Sequence, residues 1–285
     1  MLFFKKVFIF FAFFLFSQVQ AEAPTVIVSV APHQFLVDWV SGGSVNAMLM
    51  VPAGASSHTY EPTPKQIIAA SKASIWFVIG EPFEARAIRA LKSYTSSLVA
   101  VDLREGIDLI SAEDGGSSCT CHQNAGMFDL HIWLSPRLAK QQAEKITAVL
   151  SQAFPDQAEK YAANLSTLIQ KLEEIDLSIQ RLLAPLQQRD IFVSHPAYAY
   201  FCRDYGLRQF SVEVEGKDPT PQKMTSLLQL MREQKVKTIF VQPQYNDKAC
   251  RLIAEETGAK LVTLDPYSQN YLTSLQEIAH AIAEK

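Results

Sequence analysis

The sequence predicts an α/β protein made of two lobes with mainly parallel sheets, joined by one long rigid helix. In both halves of the 285-residue chain, apolar runs of strand length alternate with helical patterns, which is typical of βαβ units. Between the halves, residues 156–184 hold one uninterrupted helical pattern. Each half has about 100 residues or a little more, which is an ordinary size for a domain.

The N-terminus has the pattern of a secretory signal peptide. Two lysines precede the apolar run Val7–Phe16, and a small-x-small cleavage site ends at Ala21. The run is shorter than the roughly 20 apolar residues that cross a membrane. We therefore expect residues 1–21 to be removed and the mature protein to act in the periplasm. An uncleaved membrane anchor is the alternative.

The N-terminal lobe is predicted to comprise residues 22–155. Its predicted strands are TVIVSV, AMLMV, IWFVIG and LVAVD, separated by the helical patterns HQFLVDWV, PKQIIAASKA and FEARAIRALKSY. Residues 111–128, SAEDGGSSCTCHQNAGMF, are rich in Gly, Ser, Asn and Asp and are predicted to form a surface loop. Ser135 and Pro136 are a suitable N-cap and first-turn pair for the helix that follows.

The connecting helix is predicted over residues 156–184. Its apolar residues recur at spacings of three and four, it contains neither Gly nor Pro, and Pro185 ends it. The C-terminal lobe, residues 185–285, resumes the alternation. Its predicted strands are IFV, RQFSVEV, TIFVQ and KLVTL, and each is followed by a helical pattern.

Charge and cysteine content limit the possible partners. The formal net charge is −3 and the sequence has no basic stripe, so we do not expect nucleic acid as a partner. The four cysteines, in an exported protein, could form disulfides. For Cys202 and Cys250, which lie in helical patterns, buried free thiols are the alternative; the other two are Cys119 and Cys121.

Several polar residues follow predicted strands, and in open parallel sheets ligands bind at the carboxyl ends of the strands. They are His33, His58, Glu81 and His131 in the first lobe, and His195, Glu213, Gln242 and Asp265 in the second. Four histidines in such positions suggest a metal site, because imidazole and carboxylate groups are common zinc ligands. Spacing alone does not tell which of them converge, and each could be an ordinary loop or core residue.

Four motifs, in order, carry a resemblance to a known family: SHTYEPTP, DLHIWLSP, VSHPAYAYF and LDPYS. With these motifs the mature chain resembles the periplasmic zinc-uptake solute-binding proteins of the ZnuA/TroA-like family, which serve ABC importers. The resemblance implies four metal ligands, His58, His131, His195 and Asp265, two from each lobe. The metal site would then lie in the cleft between the lobes, and the stiff helix would allow only small lobe movements.

Other polar residues receive supporting roles or none. The family motif does not use His33, so we expect it to be structural or to support a ligand. Glu61 and Glu213 are further candidates for supporting the ligands. His280 is expected at the surface. In the loop before the second ligand, the CTCH run could form a weak secondary capture site, although that loop is shorter and less histidine-rich than in many zinc-type relatives.

The residue types favour zinc as the bound metal. Three imidazoles and one carboxylate suit tetrahedral zinc, whereas manganese prefers more oxygen ligands. In manganese-type relatives the third ligand is typically glutamate, and here it is His195. Manganese and iron remain alternatives.

The predicted function is therefore metal capture without catalysis, with delivery of the ion to the membrane permease of an ABC transporter. We expect the protein to be a monomer. A more distant alternative is an extracytoplasmic zinc hydrolase, but four protein ligands would fill the position that catalytic zinc keeps open for water, and no HExxH motif is present. A surface adhesin is a third possibility.

Overall fold

The computed structural model of the protein describes residues 23–111, 128–213 and 219–285. The predicted signal peptide and the CTCH run lie outside the described residues. The eight described strands are β1 Thr25–Val28, β2 Asn46–Leu49, β3 Ile75–Val78, β4 Val99–Asp102, β5 Asp190–Val193, β6 Arg208–Ser211, β7 Thr238–Val241 and β8 Lys260–Thr263. The nine described α-helices are α1 Ala31–Ser41, α2 Pro64–Ala70, α3 Pro82–Lys92, α4 Pro136–Ala153, α5 Ala158–Leu183, α6 Ala199–Tyr205, α7 Pro221–Glu233, α8 Lys248–Thr257 and α9 Tyr271–Ala283.

The strands form two parallel four-stranded sheets with the same topology, one in each lobe. The strand order is β2-β1-β3-β4 in the N-terminal lobe and β6-β5-β7-β8 in the C-terminal lobe. In each sheet the strand order changes direction between the two central strands. Open α/β sheets bind ligands at such a switch point. The predicted fold class, two α/β lobes with parallel sheets and a long helix between them, is confirmed.

The central strands are largely apolar, as expected for strands that helices cover on both faces. The sequences are TVIV and IWFV in one lobe and DIFV and TIFV in the other, and nearly all of these side chains are buried. The outer strands are more exposed, as in β4 and β8. The loops that follow the central strands at their carboxyl ends carry the polar side chains Glu81, His195 and Gln242.

Helix boundaries follow local sequence signals. The side chains of Thr63, Ser135 and Thr220 accept hydrogen bonds from the first turns of α2, α4 and α7, and each is followed by proline. Gly206 and Gly258 end α6 and α8 in the left-handed conformation. The predicted Ser135–Pro136 helix start is thus present in the structure.

The long helix α5 has 26 residues, which corresponds to ~39 Å. It begins two residues later than the predicted helix, because a short 3₁₀ turn, Pro155–Gln157, precedes it. It packs along α4, α1 and α9, so it contacts elements of both lobes. The limits of the two lobes themselves stay a prediction.

The main hydrophobic core is continuous between the lobes. It includes strand residues of both sheets, such as Val28 and Val193, together with the buried stripe of α5. Separate smaller clusters fill the outer layer of each lobe. Because α5 and α9 contribute to one shared core, the two lobes are not independent packing units.

Two cysteines lie within the described residues. Cys202 is a buried free thiol in α6, and Cys250 is buried in α8. Cys119 and Cys121 lie outside the described residues.

Among the described residues, the structure has no helix with the length and apolar character that a membrane crossing requires.

The shared core predicts that a cavity in α5 destabilises the whole protein. Leu172 is 0% exposed, whereas Leu177 on the opposite face of the same helix is 50% exposed. We expect Leu172→Ala to lower the free energy of unfolding by about 2–5 kcal/mol. Leu177→Ala is the matched control and should change it by no more than about 0.5 kcal/mol. Urea unfolding followed by circular dichroism would measure both, and equal effects would contradict the packing of α5.

Candidate metal centre

His58 lies in a 3₁₀ turn, Ser57–Thr59, between β2 and α2. The turn is anchored on its N-terminal side by Ser57, whose hydroxyl donates to Glu81 Oε1 at 2.7 Å. On the other side, Tyr60 donates to the side chain of Gln66, which completes the capping box of α2. The backbone around His58 is therefore fixed by side-chain hydrogen bonds on both sides.

Glu81 accepts a hydrogen bond from the imidazole of His58. Its Oε2 lies 3.0 Å from His58 Nδ1. Glu81 follows β3 in a turn whose shape depends on Gly80, which has a φ of +91° and lies close under the guanidinium of Arg104. The Glu84 carboxylate accepts hydrogen bonds from the backbone N–H groups of Gly80 and Glu81 at 2.7 and 3.0 Å. These bonds stabilise the turn.

His131 precedes a second 3₁₀ turn, Ile132–Leu134, which leads into α4. Asp129 Oδ1 accepts from the backbone N–H of His131 at 2.8 Å and from its Nδ1 at 2.9 Å. These two bonds fix both the backbone and the ring of the same residue. The carbonyl of Asp129 accepts from Tyr200 of the other lobe at 2.8 Å.

His33 supports this segment from α1, as predicted for a structural or supporting residue. Its Nε2 lies 2.6 Å from Gln142 Oε1, and Gln142 donates to the carbonyl of Ile132 at 3.3 Å. Burial lowers the pKa of His33 to about 4, against the opposing effect of the Gln142 hydrogen bond, so the ring is neutral. His33 therefore stabilises the turn after His131.

His195 follows β5 in the C-terminal lobe, with Ser194 between them. Its Nδ1 lies 2.5 Å from Glu213 Oε1, which follows the neighbouring strand β6. Gln242, after β7, donates to the carbonyl of His195 at 3.0 Å. The ring of Tyr245 stacks on the imidazole with a centroid distance of 4.0 Å and an interplanar angle of 10°. The supporting role predicted for Glu213 agrees with this geometry.

The three imidazoles converge between the lobes. One ligand atom from each of His58, His131 and His195 can be chosen so that all three lie within 4.8 Å of one another. The Nε2 atoms of His58 and His195 are 3.3 Å apart. For a tetrahedral zinc ion with Zn–N bonds of about 2.0–2.1 Å, neighbouring ligand atoms lie roughly 3.3–3.4 Å apart. The spacing of these two nitrogens therefore fits two ligands of one zinc ion.

All three imidazoles make the same bond to a carboxylate through Nδ1. The partners are Glu81, Asp129 and Glu213. A carboxylate accepts the Nδ1 proton of a neutral imidazole, which leaves the lone pair on Nε2, the tautomer that binds a metal. The three carboxylates also place negative charge around the point where the imidazoles meet, which favours a cation there.

The electrostatics of the first pair agree with this arrangement. Burial lowers the pKa of His58, but the charge and hydrogen bond of Glu81, with the charges of Asp129 and Glu213, outweigh it and raise the pKa above its ordinary value. Burial raises the pKa of Glu81, but the charge and hydrogen bond of His58 outweigh it and lower the pKa overall. Glu81 is therefore an ionised acceptor.

Asp265, the fourth ligand that the family resemblance implies, follows β8 but is not a member of this group. Its Oδ1 accepts from Gln244 Nε2 at 2.7 Å and from the backbone N–H of Tyr267 at 2.9 Å. The Tyr267 hydroxyl lies 3.3 Å from His131 Nε2. Asp265 stays a prediction as a ligand.

Other sequence candidates lie elsewhere. Glu61 pairs with Arg86 on exposed side chains, so it does not support a ligand. His280 is exposed on α9, as expected. Asp129 and Tyr267 were not predicted to contact the histidines, although they lie in the motifs DLHIWLSP and LDPYS. A carboxylate two residues before a candidate ligand was the available signal for Asp129.

The similarity to known proteins extends over most of the chain. Residues 26–285 match the family described as zinc-uptake complex component A, periplasmic, or ZnuA. A putative metal-binding protein of Chlamydia muridarum is 33% identical over 267 residues, which are 92% of this chain and 93% of that protein. The high-affinity zinc uptake system protein ZnuA of Bacillus subtilis is 29% identical over 223 residues, 76% of this chain and 70% of that protein.

A solved structure agrees with the sequence matches. A crystal structure of ZnuA superposes with a TM-score of 0.85 at 34% identity, and the match covers 92% of this chain and 99% of that chain. The family match thus runs from residue 26, in β1, through α9. The chain belongs to the ZnuA family of zinc-uptake complex components.

Proposed function

We propose that this protein captures a divalent transition metal ion in the periplasm and delivers it to the permease of an ABC importer. We propose zinc as that ion. The observation that carries the proposal is the convergence of three imidazoles, each with a carboxylate on Nδ1. His58 and His131 come from one lobe and His195 from the other, so the ion would link the lobes. The periplasmic location rests on the predicted signal peptide and on family membership.

The donor set supports zinc over the alternatives. Three neutral imidazoles form a nitrogen-rich site, whereas manganese prefers oxygen and stands lowest in the general affinity order of divalent metals. Ferrous iron also accepts imidazole but usually with further open positions and carboxylate. We assign the fourth position to Asp265 of the C-terminal lobe, which the family resemblance implies.

Burial of the site argues against a zinc hydrolase. The side chains of His58, His131 and His195 are 14%, 1% and 2% exposed. A hydrolase needs a cleft in which an organic substrate reaches the metal and its water. Among the described residues, ligands buried to this degree leave little surface at which a peptide or an ester could reach the metal.

Removal of one imidazole should abolish tight binding. We expect His195→Ala to weaken zinc binding by more than about 100-fold, because even the loss of a supporting carboxylate costs about 10–100-fold. His280→Ala, which changes an exposed histidine of α9, is the control and should keep the wild-type affinity. Competition with a chromophoric zinc chelator measures both. Equal affinities would contradict the proposed site, and preferential retention of manganese or iron would contradict the choice of metal.

The carboxylate partners should tune the affinity without being ligands. Glu81→Gln keeps the shape of the side chain but removes the charge that stabilises the Nδ1 proton of His58, so zinc affinity should fall by about 10–100-fold. Glu61→Gln is the matched control, because Glu61 pairs with Arg86 at the surface. Isothermal titration calorimetry of the two variants tests this. An unchanged affinity in Glu81→Gln would contradict a contribution of the His58–Glu81 hydrogen bond to zinc binding.

Metal affinity should fall as the pH falls. Zinc and a proton compete for His58, whose pKa lies above its ordinary value of about 6.5, so the loss should begin above about pH 6.5 and deepen below it. Chelator competition between about pH 8 and about pH 5 measures the slope, and calorimetry in buffers of different ionisation enthalpy measures the released protons. Affinity that is constant over this range would contradict histidine ligation.

A further inference from the structure

Glu84 is a buried carboxylate near the start of α3, and only 3% of the residue is exposed. Its oxygens accept hydrogen bonds from the backbone N–H groups of Ile79, Gly80 and Glu81, at 3.0, 2.7 and 3.0 Å. A fourth bond, at 2.5 Å, comes from the hydroxyl of Ser29, which follows β1. Glu84 therefore joins the carboxyl ends of β1 and β3, the two central strands of the N-terminal sheet.

We propose that Glu84 is a positioning residue of the metal centre, because it holds the turn after β3 in the shape that presents the Glu81 carboxylate to His58. This inference rests on the proposed function, since it concerns the same site. Glu84 is not itself a ligand. It acts through Glu81, whose Oε1 accepts from Ser57 at 2.7 Å and whose Oε2 lies 3.0 Å from His58 Nδ1.

Helix capping accounts for only one of the four hydrogen bonds of Glu84. Glu84 is the third residue of α3, and its bond to the backbone N–H of Glu81, the N-cap residue, is half of a capping box. The N–H groups of Ile79 and Gly80 lie before the helix, and the Ser29 hydroxyl belongs to another strand end. These three bonds fix the turn itself, and with it the direction in which the Glu81 side chain leaves the backbone.

All four of these partners are donors, so the position requires a group that only accepts. An ionised carboxylate has acceptor sites for all of them, whereas the amide of glutamine would turn N–H groups towards some of the donors. Burial raises the pKa of Glu84 to about 7, against the hydrogen bonds from Ser29 and the backbone. The carboxylate is therefore mainly ionised at about pH 8, where it can accept all four bonds.

A guanidinium lies beside the turn and balances part of its negative charge. Gly80 has a φ of +91°, and a Cβ at this position would lie 2.0 Å from the guanidinium of Arg104. Asp102 holds that guanidinium with hydrogen bonds at 2.9 and 2.7 Å, and its positive charge also interacts with Glu84. Arg104 thus offsets part of the repulsion between the Glu81 and Glu84 carboxylates, which lie on the same turn.

The equivalent turn of the C-terminal lobe, after β7, is held differently. There the hydroxyl of Ser194, after β5, accepts from the backbone N–H of Gln242 at 3.1 Å. In that lobe the carboxylate partner of His195 is Glu213, which follows β6 and not β7. The turn after β3 carries the carboxylate partner of an imidazole, and that turn is the one that accepts its bonds from a charged side chain.

The experiment compares Glu84→Gln with Asp190→Asn in the full-length mature chain at about pH 8. Both variants neutralise a buried carboxylate, but Asp190 begins β5, at the end of the strand away from His195. Chelator competition measures zinc affinity, and thermal unfolding shows that the variants are folded. NMR of the zinc-loaded protein with isotope-labelled histidine follows the Nδ1 proton of each ligand imidazole, because its chemical shift reports the hydrogen bond to the carboxylate.

We expect Glu84→Gln to weaken zinc binding by at least about tenfold, as for the loss of a group that supports a ligand. The Nδ1 proton signal of His58 should shift, whereas those of His131 and His195 should stay in place, because their carboxylate partners lie on other segments. Asp190→Asn should keep the wild-type affinity and all three signals. Should Glu84→Gln fail to fold, Glu84→Asp carries the same test, because the shorter side chain cannot reach all four donors.

A double-mutant cycle separates positioning from a general loss of rigidity. In the Glu81→Gln background, Glu84→Gln should weaken zinc binding by less than about twofold, because the interaction that Glu84 supports is already lost. Losses that multiply in the double variant would overturn the inference. So would a folded Glu84→Gln protein with wild-type zinc affinity, or an equal shift of all three imidazole signals. A wild-type protein that does not bind zinc would instead overturn the proposed function.

Discussion

The bond between an imidazole Nδ1 and a carboxylate, made three times, is the constraint on which the rest of the site depends. Each such bond determines the tautomer and orients the ring, so that Nε2 faces the cleft. Without it, a histidine at a strand end could rotate toward solvent. Lone pairs only 3.3 Å apart, as at His58 and His195, repel each other unless a proton or a cation lies between them. The fold must therefore hold these two rings together against the repulsion between their Nε2 lone pairs.

The repeated topology and the shared core supply that rigidity. Both sheets have the same strand order, so each lobe brings its strand ends to the cleft in the same way. Helix α5 and the common hydrophobic core hold the two lobes in one arrangement. Hydrogen bonds across the cleft, such as Trp133 Nε1 to the Pro266 carbonyl at 2.8 Å, add to this. Rings from different lobes are therefore held in a defined arrangement.

The fold could be predicted from the sequence because local patterns determine it. Each predicted strand overlaps one of the four-residue strands, and the absence of Gly and Pro predicted α5 almost to its ends. The three histidines could be predicted because the chain places each of them after a strand or at a short turn. Family resemblance, rather than spacing, selected His58, His131 and His195 from the other candidates. The structure brings these three together, whereas their role as ligands is still a proposal.

The partners of the histidines were harder to predict, because they depend on contacts between distant segments. Glu61 lies in the same motif as His58, yet it turns to the surface and pairs with Arg86. Glu81 is 23 residues from His58 and reaches it through the turn at Gly80. Tyr267 reaches His131 from the other lobe. No local pattern reports a contact of this kind, since it arises only after the two sheets have been placed against each other.

The unequal burial of the three imidazoles has a consequence for how an ion would be handed over. The side chains of His131 and His195 are 1% and 2% exposed, whereas that of His58 is 14% exposed. In a stepwise exchange of ligands, an incoming donor group from a membrane partner would reach the ion on the His58 side and replace that imidazole first. The other two nitrogens would keep the ion in place until the new bond had formed. Transfer by this route avoids a free hydrated ion, and it requires no separation of the lobes.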